Sequence, residues 1–456
     1  MGKKLWGGRF KKPMDRDILD FTKSISFDKR LAPYDIEGSI AYAQMLGKCK
    51  IISKKEKDLL VKGLRSLKER IGRIPLENNE DIHTAVINLL RKEIGKTADK
   101  LHLGRSRNDQ VVLDLRLYCK DEVKQVIEKI KKLQRSLWER AKDWRGLTIP
   151  FYTHLKNAQF ILFAHQFLAY IGMLERDKGR LGDVFKRMDI MPLGSGAGRG
   201  SGLPLDRFYL AKKLNFSQVS ENSLDSVSDR DFVIEFLSTL AILSMHLSRI
   251  SEDFILFCSD EFGFIEGDDS HFTGSSILPH KKNPDPLELI RGYTGKMYGN
   301  LISVLVMMKG LPLSYNRDMQ LDKPPLFDSL DIIKDSLNIL EKIVSKLKVN
   351  KENLKRASSN EFIFATDIAE FLVTQGYSWQ EAHNLTGKLV LESIRKKKPL
   401  KEMSDKELKK IIPELTQELI LDFLDPLKSV RRIKTYGGSG PESVENQIKH
   451  WGKILR

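Results

Sequence analysis

Between Val233 and Phe254 apolar side chains return every three to four residues, at Val233, Phe236/Leu237, Leu240, Leu243, Leu247, Ile250 and Phe254. That period marks one face of an α-helix. Ile234, Ala241, Ile242 and Met245 occupy the other faces of its first half, so this helix is apolar all round and must be buried on every side. Two settings satisfy that demand: the centre of a bundle completed by other subunits, or the core of a single chain. Prolines set the scale of the other elements, because an internal proline removes a helix hydrogen bond and clashes with the preceding turn. None occurs in 76–149, 205–278 or 326–398, gaps of 74, 74 and 73 residues whose periodicity is helical rather than alternating. Long antiparallel helices fill them most simply. Gly and Pro punctuate the chain at 73–75, 146–150, 192–204, 263–286, 310–325 and 436–441. No run of short alternating strands and no short-period repeat interrupts the helical pattern, which predicts an all-α fold.

Composition narrows the class. The 456 residues are 41% hydrophobic and 30% charged, which excludes disorder and collagen, and at ~150 residues per domain the length suggests about three structural units. Cys49, Cys119 and Cys258 are odd in number and far apart, so they offer neither a disulfide framework nor CxxC metal spacing, and a reducing cytoplasm is the natural home. The first ten residues lack an apolar core after their basic residues, and the greasiest stretch, 232–247, carries Glu235 and His246 and is short for a bilayer span. No membrane partner is expected. Lys plus Arg exceed Asp plus Glu by 77 to 61, a net charge of +16 that by itself fits nucleic acid, an acidic membrane or anionic small substrates. The basic runs of 120–142 and 395–410 are interleaved with acids, as on solvated helix faces, and no nucleic-acid-binding motif accompanies them.

Several familiar motifs are near misses. The Gly194–Gly202 run GSGAGRGSG contains no GxGxxG frame and reads as a tightly turned or flexible loop. Gly95-Lys96-Thr97 imitates the end of a phosphate-binding loop, but Leu90 stands where that motif needs glycine. GxSxG and HExxH are absent, and the histidines are scattered singly, so hydrolase and metal readings have no positive mark. Three polar segments remain. Asn79–Thr84 with Gly104–Gln110 (GRSRNDQ) combines cap-type residues with two arginines suited to carboxylates. Tyr152-Thr153-His154-Leu155 places a hydroxyl beside an imidazole in a loop leading into a helix. Gly274–Asp285 (GSSILPHKKNPD) joins a glycine, two serines and two lysines to a helix start, an environment that stabilises an anion and lowers the pKa of a serine hydroxyl.

Gly274–Asp285 resembles the GSSxMPxKxNP signature of the fumarase/aspartase superfamily, and Gly104–Val111 (GRSRNDQV) narrows the likeness to the argininosuccinate lyase family, which the lens δ-crystallins also resemble. Further matches lie at Leu5–Phe10, Asn222–Phe232, Tyr315–Lys323 (YNRDMQLDK), Ala365–Asp367 and Glu381–His383, so the resemblance spans essentially the whole chain. It implies a three-domain all-α lyase, divided at 1–105, 106–358 and 359–456, whose long central helices form a twenty-helix core in a homotetramer, with each active site shared by three subunits. The implied reaction is reversible β-elimination of argininosuccinate to arginine and fumarate, the last step of arginine biosynthesis, also used in the urea cycle. No cofactor or metal is implied. By resemblance Ser276 is the base, Lys282 and Asn283 stabilise the aci-carboxylate dianion, and His154, oriented by Glu288 of another chain, assists proton transfer or substrate positioning. Ser24, Arg107, Asn108, Thr153, Tyr315, Gln320 and Lys323 carry over as substrate-binding residues.

The chain departs from the family pattern at Phe151 for Gly, Lys156 for Gln, Phe160 for Pro, Leu278 for Met, His280 for Gln and Leu321 for Glu. Phe151 bears on the backbone path beside Thr153, but no residue assigned to chemistry is replaced. A sister lyase for adenylosuccinate or fumarate/malate is a second reading, for which GRSRNDQV is the wrong signature. A catalytically silent crystallin-like tetramer is a third, resting on Phe151 and Lys156.

Overall fold

The computed structural model describes residue 12 and residues 14–455, so the Leu5–Phe10 match and the rest of the N-terminal stretch lie outside the described residues. The fold is all-α: nearly all regular structure is helical, and the strands are short pairs. Five long helices dominate: α1 (Arg107–Asp143), α2 (Phe163–Met188), α3 (Asp231–Cys258), α4 (Asp285–Met308) and α5 (Lys323–Lys346). Each has at least 24 residues, hence a length of about 36 Å or more at 1.5 Å per residue. Three of them, α1, α3 and α5, lie wholly or mostly within the three proline-free gaps.

The described chain divides into two compact units. The first gathers the residues up to Glu128 with Asp177–Ser244 and Tyr293–Lys334; the second gathers Lys129–Arg176, Met245–Gly292 and the chain from Asp335 onward. In the first, Ser244 and Thr294 share a hydroxyl hydrogen bond of 2.9 Å between α3 and α4, Asn300 Nδ2 donates to Ser329 between α4 and α5, and Lys334 pairs with Glu122 between α5 and α1. In the second, Tyr170 donates to Asp253 between α2 and α3 at 2.7 Å, and Ser136 donates to Glu341 between α1 and α5. A separate apolar cluster, including Leu372, Leu389, Met403, Leu415 and Phe423, packs the C-terminal helices of this unit.

Helix α3 carries the apolar stripe read from the sequence, and no residue from 232 to 248 is exposed. At 28 residues it is longer than the 232–247 stretch, and by length and composition it is apolar enough to cross a membrane; 61% of that window is buried inside the protein. Helix α4 exposes apolar side chains instead: Leu289 and Tyr293 near its start and Tyr298, Ile302, Leu305 and Val306 farther along are all exposed.

The expectation of a loop entering a helix at 152–155 is corrected. Strands β1 (Thr148–Thr153) and β2 (Lys156–Leu162) form an antiparallel hairpin in which Thr153 pairs with Lys156. His154 and Leu155 are its two-residue turn, at φ +53° and +56°. Such a turn requires positive φ at both central positions and normally uses Asn-Gly. With His-Leu at the turn and Pro150 inside a strand, the usual hairpin signals are missing; the proline is tolerated because a two-stranded sheet has only edge strands.

Candidate active site

Gly104 stands at φ +73°, where a Cβ would meet the Ser201 hydroxyl at 2.9 Å, and this tight turn feeds α1 so that Arg107 and Asn108 fall in its first turn. Asp81 caps the Ile82–Ile94 helix, one carboxylate oxygen accepting from the Thr84 amide at 2.7 Å while the other pairs with Arg107. Asp81 therefore serves as a helix cap and as the ion-pair partner of Arg107 at once.

Ser24, Arg107, Asn108, Tyr315, Gln320 and Lys323, six of the residues singled out from sequence, line a single cavity of about 690 Å³ in the first unit. Ser24 is buried and donates to Asp28 at 2.6 Å, and the other Asp28 oxygen accepts from the Ile82 amide. Gln320 and Arg317 both donate to the Thr22 carbonyl, at 3.3 and 2.6 Å, and Arg317 also reaches Glu80. Lys323 is buried, its Nζ donating to Asp322 at 2.8 Å, and Asp322 in turn pairs with the wholly buried Arg230.

Burial sets the protonation of this cavity. It raises the Asp28 carboxyl and the Tyr315 phenol above their ordinary values. Burial alone would also raise Asp81, but Arg107 and His83 outweigh it and hold that carboxyl below its ordinary value. His102 is pushed down to about 3 by burial, reinforced by Arg105 and Arg107, so it is neutral at physiological pH. Beneath the lining, His83 Nδ1 lies 2.9 Å from Asp35 and 3.3 Å from Asp114, all three buried. Among the described residues this is the one group with the spacing to hold a metal ion.

Thr153, His154, Ser276, Lys282, Asn283 and Glu288 belong to the second unit. Thr153, at the end of β1, and His154, in the hairpin turn, are exposed. Thr273–Gly274 pairs antiparallel with Lys282–Asn283, so the signature segment is an excursion closed at its base, with Ser276 and Ile277 exposed between. Lys282 Nζ donates to the Gly267 carbonyl at 2.5 Å, to Asp269 at 2.6 Å and to Glu266 at 3.2 Å. Partial burial lowers its pKa, but Asp269 and Glu266 prevail and hold it above the ordinary value. Glu288 is exposed in the first turn of α4.

Residues 8–299 match the family model described as lyase, and residues 362–431 match argininosuccinate lyase C-terminal. The argininosuccinate lyase of Sulfurihydrogenibium sp. (strain YO3AOP1) is 47% identical over 456 residues, covering 99% of both chains. That of Acetivibrio thermocellus is 48% identical over 455 residues, again 99% of both. The chain belongs to the argininosuccinate lyase family. It is a lyase of the fumarase/aspartase superfamily. Among solved structures it is similar to EDDS lyase in complex with formate, with TM-score 0.85, 26% identity and coverage of 94% of this chain and 87% of that one. It shares its fold with the class II fumarase of Schistosoma mansoni, TM-score 0.75 at 18% identity, covering 87% of this chain and 90% of that one.

Two departures from the family pattern have structural accounts. Phe151 stands where the β1–β2 register shifts, at a bulge, and its φ is not positive, so a glycine is not needed there. Phe160 is buried and stacks on Phe364 with ring centroids 5.0 Å apart. Sequence reasoning missed Asp28, Glu80, His102 and Arg317 as cavity-lining residues. Arg317 sits inside the YNRDMQLDK match and Glu80 inside Asn79–Thr84, so both were within reach; Asp28 and His102 carried no signal of their own.

Proposed function

We propose that this chain catalyses the reversible β-elimination of argininosuccinate to arginine and fumarate, as a cytoplasmic homotetramer with each site built from three subunits. The observation that carries the reading is the single cavity lined by Ser24, Arg107, Asn108, Tyr315, Gln320 and Lys323, in a chain whose relatives across 99% of its length are argininosuccinate lyases. The substrate bears three carboxylates. Arg107 and Lys323 supply fixed positive charge for them, and Tyr315 and Gln320 offer hydrogen bonds to the amino-acid end.

Ser276, as alkoxide, takes the proton from the carbon next to a succinyl carboxylate. The electron pair moves into that carboxylate, and Lys282 and Asn283 stabilise the resulting dianion. Collapse of the pair forms the carbon-carbon double bond of fumarate and breaks the bond to the guanidino nitrogen, which carries the electrons away and regains a proton to give arginine. His154, oriented by Glu288 of a partner subunit, positions the substrate or assists proton transfer. Thr153 hydrogen-bonds the bound substrate beside it. Lys282 must leave Asp269 and Glu266 to act, which ties its use to movement of the Ser276 segment. The exposed apolar side chains of α4 support association, because an exposed apolar surface of this extent marks a contact site.

The test is turnover of argininosuccinate by the purified protein, followed as fumarate absorbance, with Ser276→Ala as control and adenylosuccinate and malate as competing substrates. Fumarate from argininosuccinate with wild type, reduced at least a hundredfold by Ser276→Ala, is the expected result. Turnover of another substrate instead, or a tetramer without turnover, would replace this reading with a sister lyase or a crystallin-like role.

A further inference from the structure

The Gly194–Gly202 run is a built element rather than a slack loop. Asp109, buried in the first turn of α1, accepts from three backbone amides: Gly196 at 2.8 Å and Gly194 at 3.0 Å on one oxygen, and Ser106 at 3.0 Å on the other. The turn closes on itself through the Ser195 carbonyl, which accepts from the Gly198 and Gly200 amides at 3.2 and 2.8 Å. Its glycines are required: Gly196 stands at φ +61°, where a Cβ would lie 2.7 Å from the Gly200 carbonyl oxygen. Arg207 secures the other flank, donating to the Leu193 carbonyl at 3.1 Å and to Ser195 Oγ at 3.2 Å.

What this turn presents is the carbonyl of Ala197. Asn108 Nδ2 donates to it at 3.3 Å, and Ser314 Oγ donates to it at 3.2 Å. One acceptor thus braces a side chain at the start of α1 and the residue preceding Tyr315. Both neighbours line the cavity. We propose that Asp109 and the Gly194–Gly200 turn form a positioning bracket that fixes Asn108 and the Tyr315 segment for substrate through the shared Ala197 carbonyl. Asp109 is a positioning residue, and the inference rests on the substrate-binding roles proposed above.

Burial pushes the Asp109 carboxyl up to about 6, against the pull of the Gly196 and Gly194 amides, Arg105 and the Ser106 amide; Arg207 and Tyr42 also face it. A proton on that carboxyl removes acceptor capacity from the three amides, so the bracket loosens as pH falls through about 6.

The experiment compares wild type with Asp109→Asn and Ser314→Ala in steady-state kinetics with argininosuccinate from pH 5 to 8, alongside amide hydrogen exchange of peptides covering 192–204. Asparagine turns an N–H donor toward an amide, so Asp109→Asn is expected to raise KM at least fivefold at pH 7.5 with kcat changed less than threefold. Its KM should also lose the rise that wild type shows below pH 6. Ser314→Ala, which removes one bond to Ala197 and leaves Asp109 intact, should raise KM about twofold; it keeps the test open if Asp109→Asn fails to fold. A fall in kcat with KM unchanged would mean a smaller active fraction and a merely structural role, and would overturn the bracket. If wild type turns over no argininosuccinate, the function reading fails, and exchange at 192–204 still judges the bracket: no pH-dependent loosening in wild type relative to Asp109→Asn would overturn it.

Discussion

Asp322 is the anion on which two buried cations depend. It is wholly buried, one oxygen pairing with Arg230 Nε and the other accepting from Lys323 Nζ at 2.8 Å, while Arg230 Nη1 donates to the Asp229 carbonyl and Nη2 has no hydrogen-bond partner. Asp322→Asn keeps the shape and removes the charge, so the cost is electrostatic rather than a cavity. Breaking a buried pair by deleting one partner costs about 3–5 kcal/mol, because the remaining charge is left uncompensated. Urea unfolding at fixed protein concentration should therefore show Asp322→Asn destabilised by about 3–5 kcal/mol at pH 7. A loss below about 1 kcal/mol at pH 7 would refute the view that Lys323 and Arg230 are held as charged groups by this carboxylate.

Two further predictions concern the cavity and the hairpin. The folded pKa of His102 lies near 3 and its unfolded value near 6.5, so its stabilising contribution is full above pH 6.5 and is lost as pH falls toward 3, by up to about 1.4 kcal/mol per pH unit. His102→Asn should flatten the dependence of unfolding free energy on pH between 6 and 4.5, and an unchanged slope in urea titrations would show that the imidazole is not buried neutral. Leu155 is 68% exposed at φ +56°, a conformation that costs an L-residue about 1–2 kcal/mol and glycine little. Less the entropy glycine adds to the unfolded chain, Leu155→Gly should stabilise the second unit by up to about 1 kcal/mol, read as a raised Tm; a lowered Tm would mean that the leucine makes a contact worth more than the turn strain.

The fold was legible where the signal was local and repeated. Helix α3 announced itself through some twenty residues of apolar periodicity, and the proline-free gaps bounded three of the five long helices. The β1–β2 hairpin was not legible, because its turn uses His154-Leu155 in a geometry normally marked by Asn-Gly. The candidate site was legible as motifs but not as partnerships. Arg230 and Asp322 are 92 residues apart in sequence, and Asp35 and His83 are 48 apart, so nothing local says that either pair shares a buried contact. Exposure was equally hidden: the apolar residues of α4 look in sequence like those of any core helix, and only the fold shows which face lacks a partner.

The two groups of site residues also differ in how firmly they are held, and that difference bears on mechanism. Ser24, Lys323 and Asp109 are buried, with short bonds in a setting of low dielectric where each contact is strong and its loss expensive. Ser276 lies in an exposed excursion closed by only two residue pairs, Thr273 with Asn283 and Gly274 with Lys282. Its adjoining cation, Lys282, is tied to Glu266 and to an Asp269 side chain that is 96% exposed. Ion pairs so exposed are worth about 0–1 kcal/mol. A bound dianion offering Lys282 a desolvated partner would exceed that, so the segment can exchange its resting contacts for substrate while the binding cavity keeps its shape. Preorganised binding groups and a lightly held base, the roles proposed for these residues, are what a reaction needs when its basic oxygen must be shielded from water only once substrate has arrived.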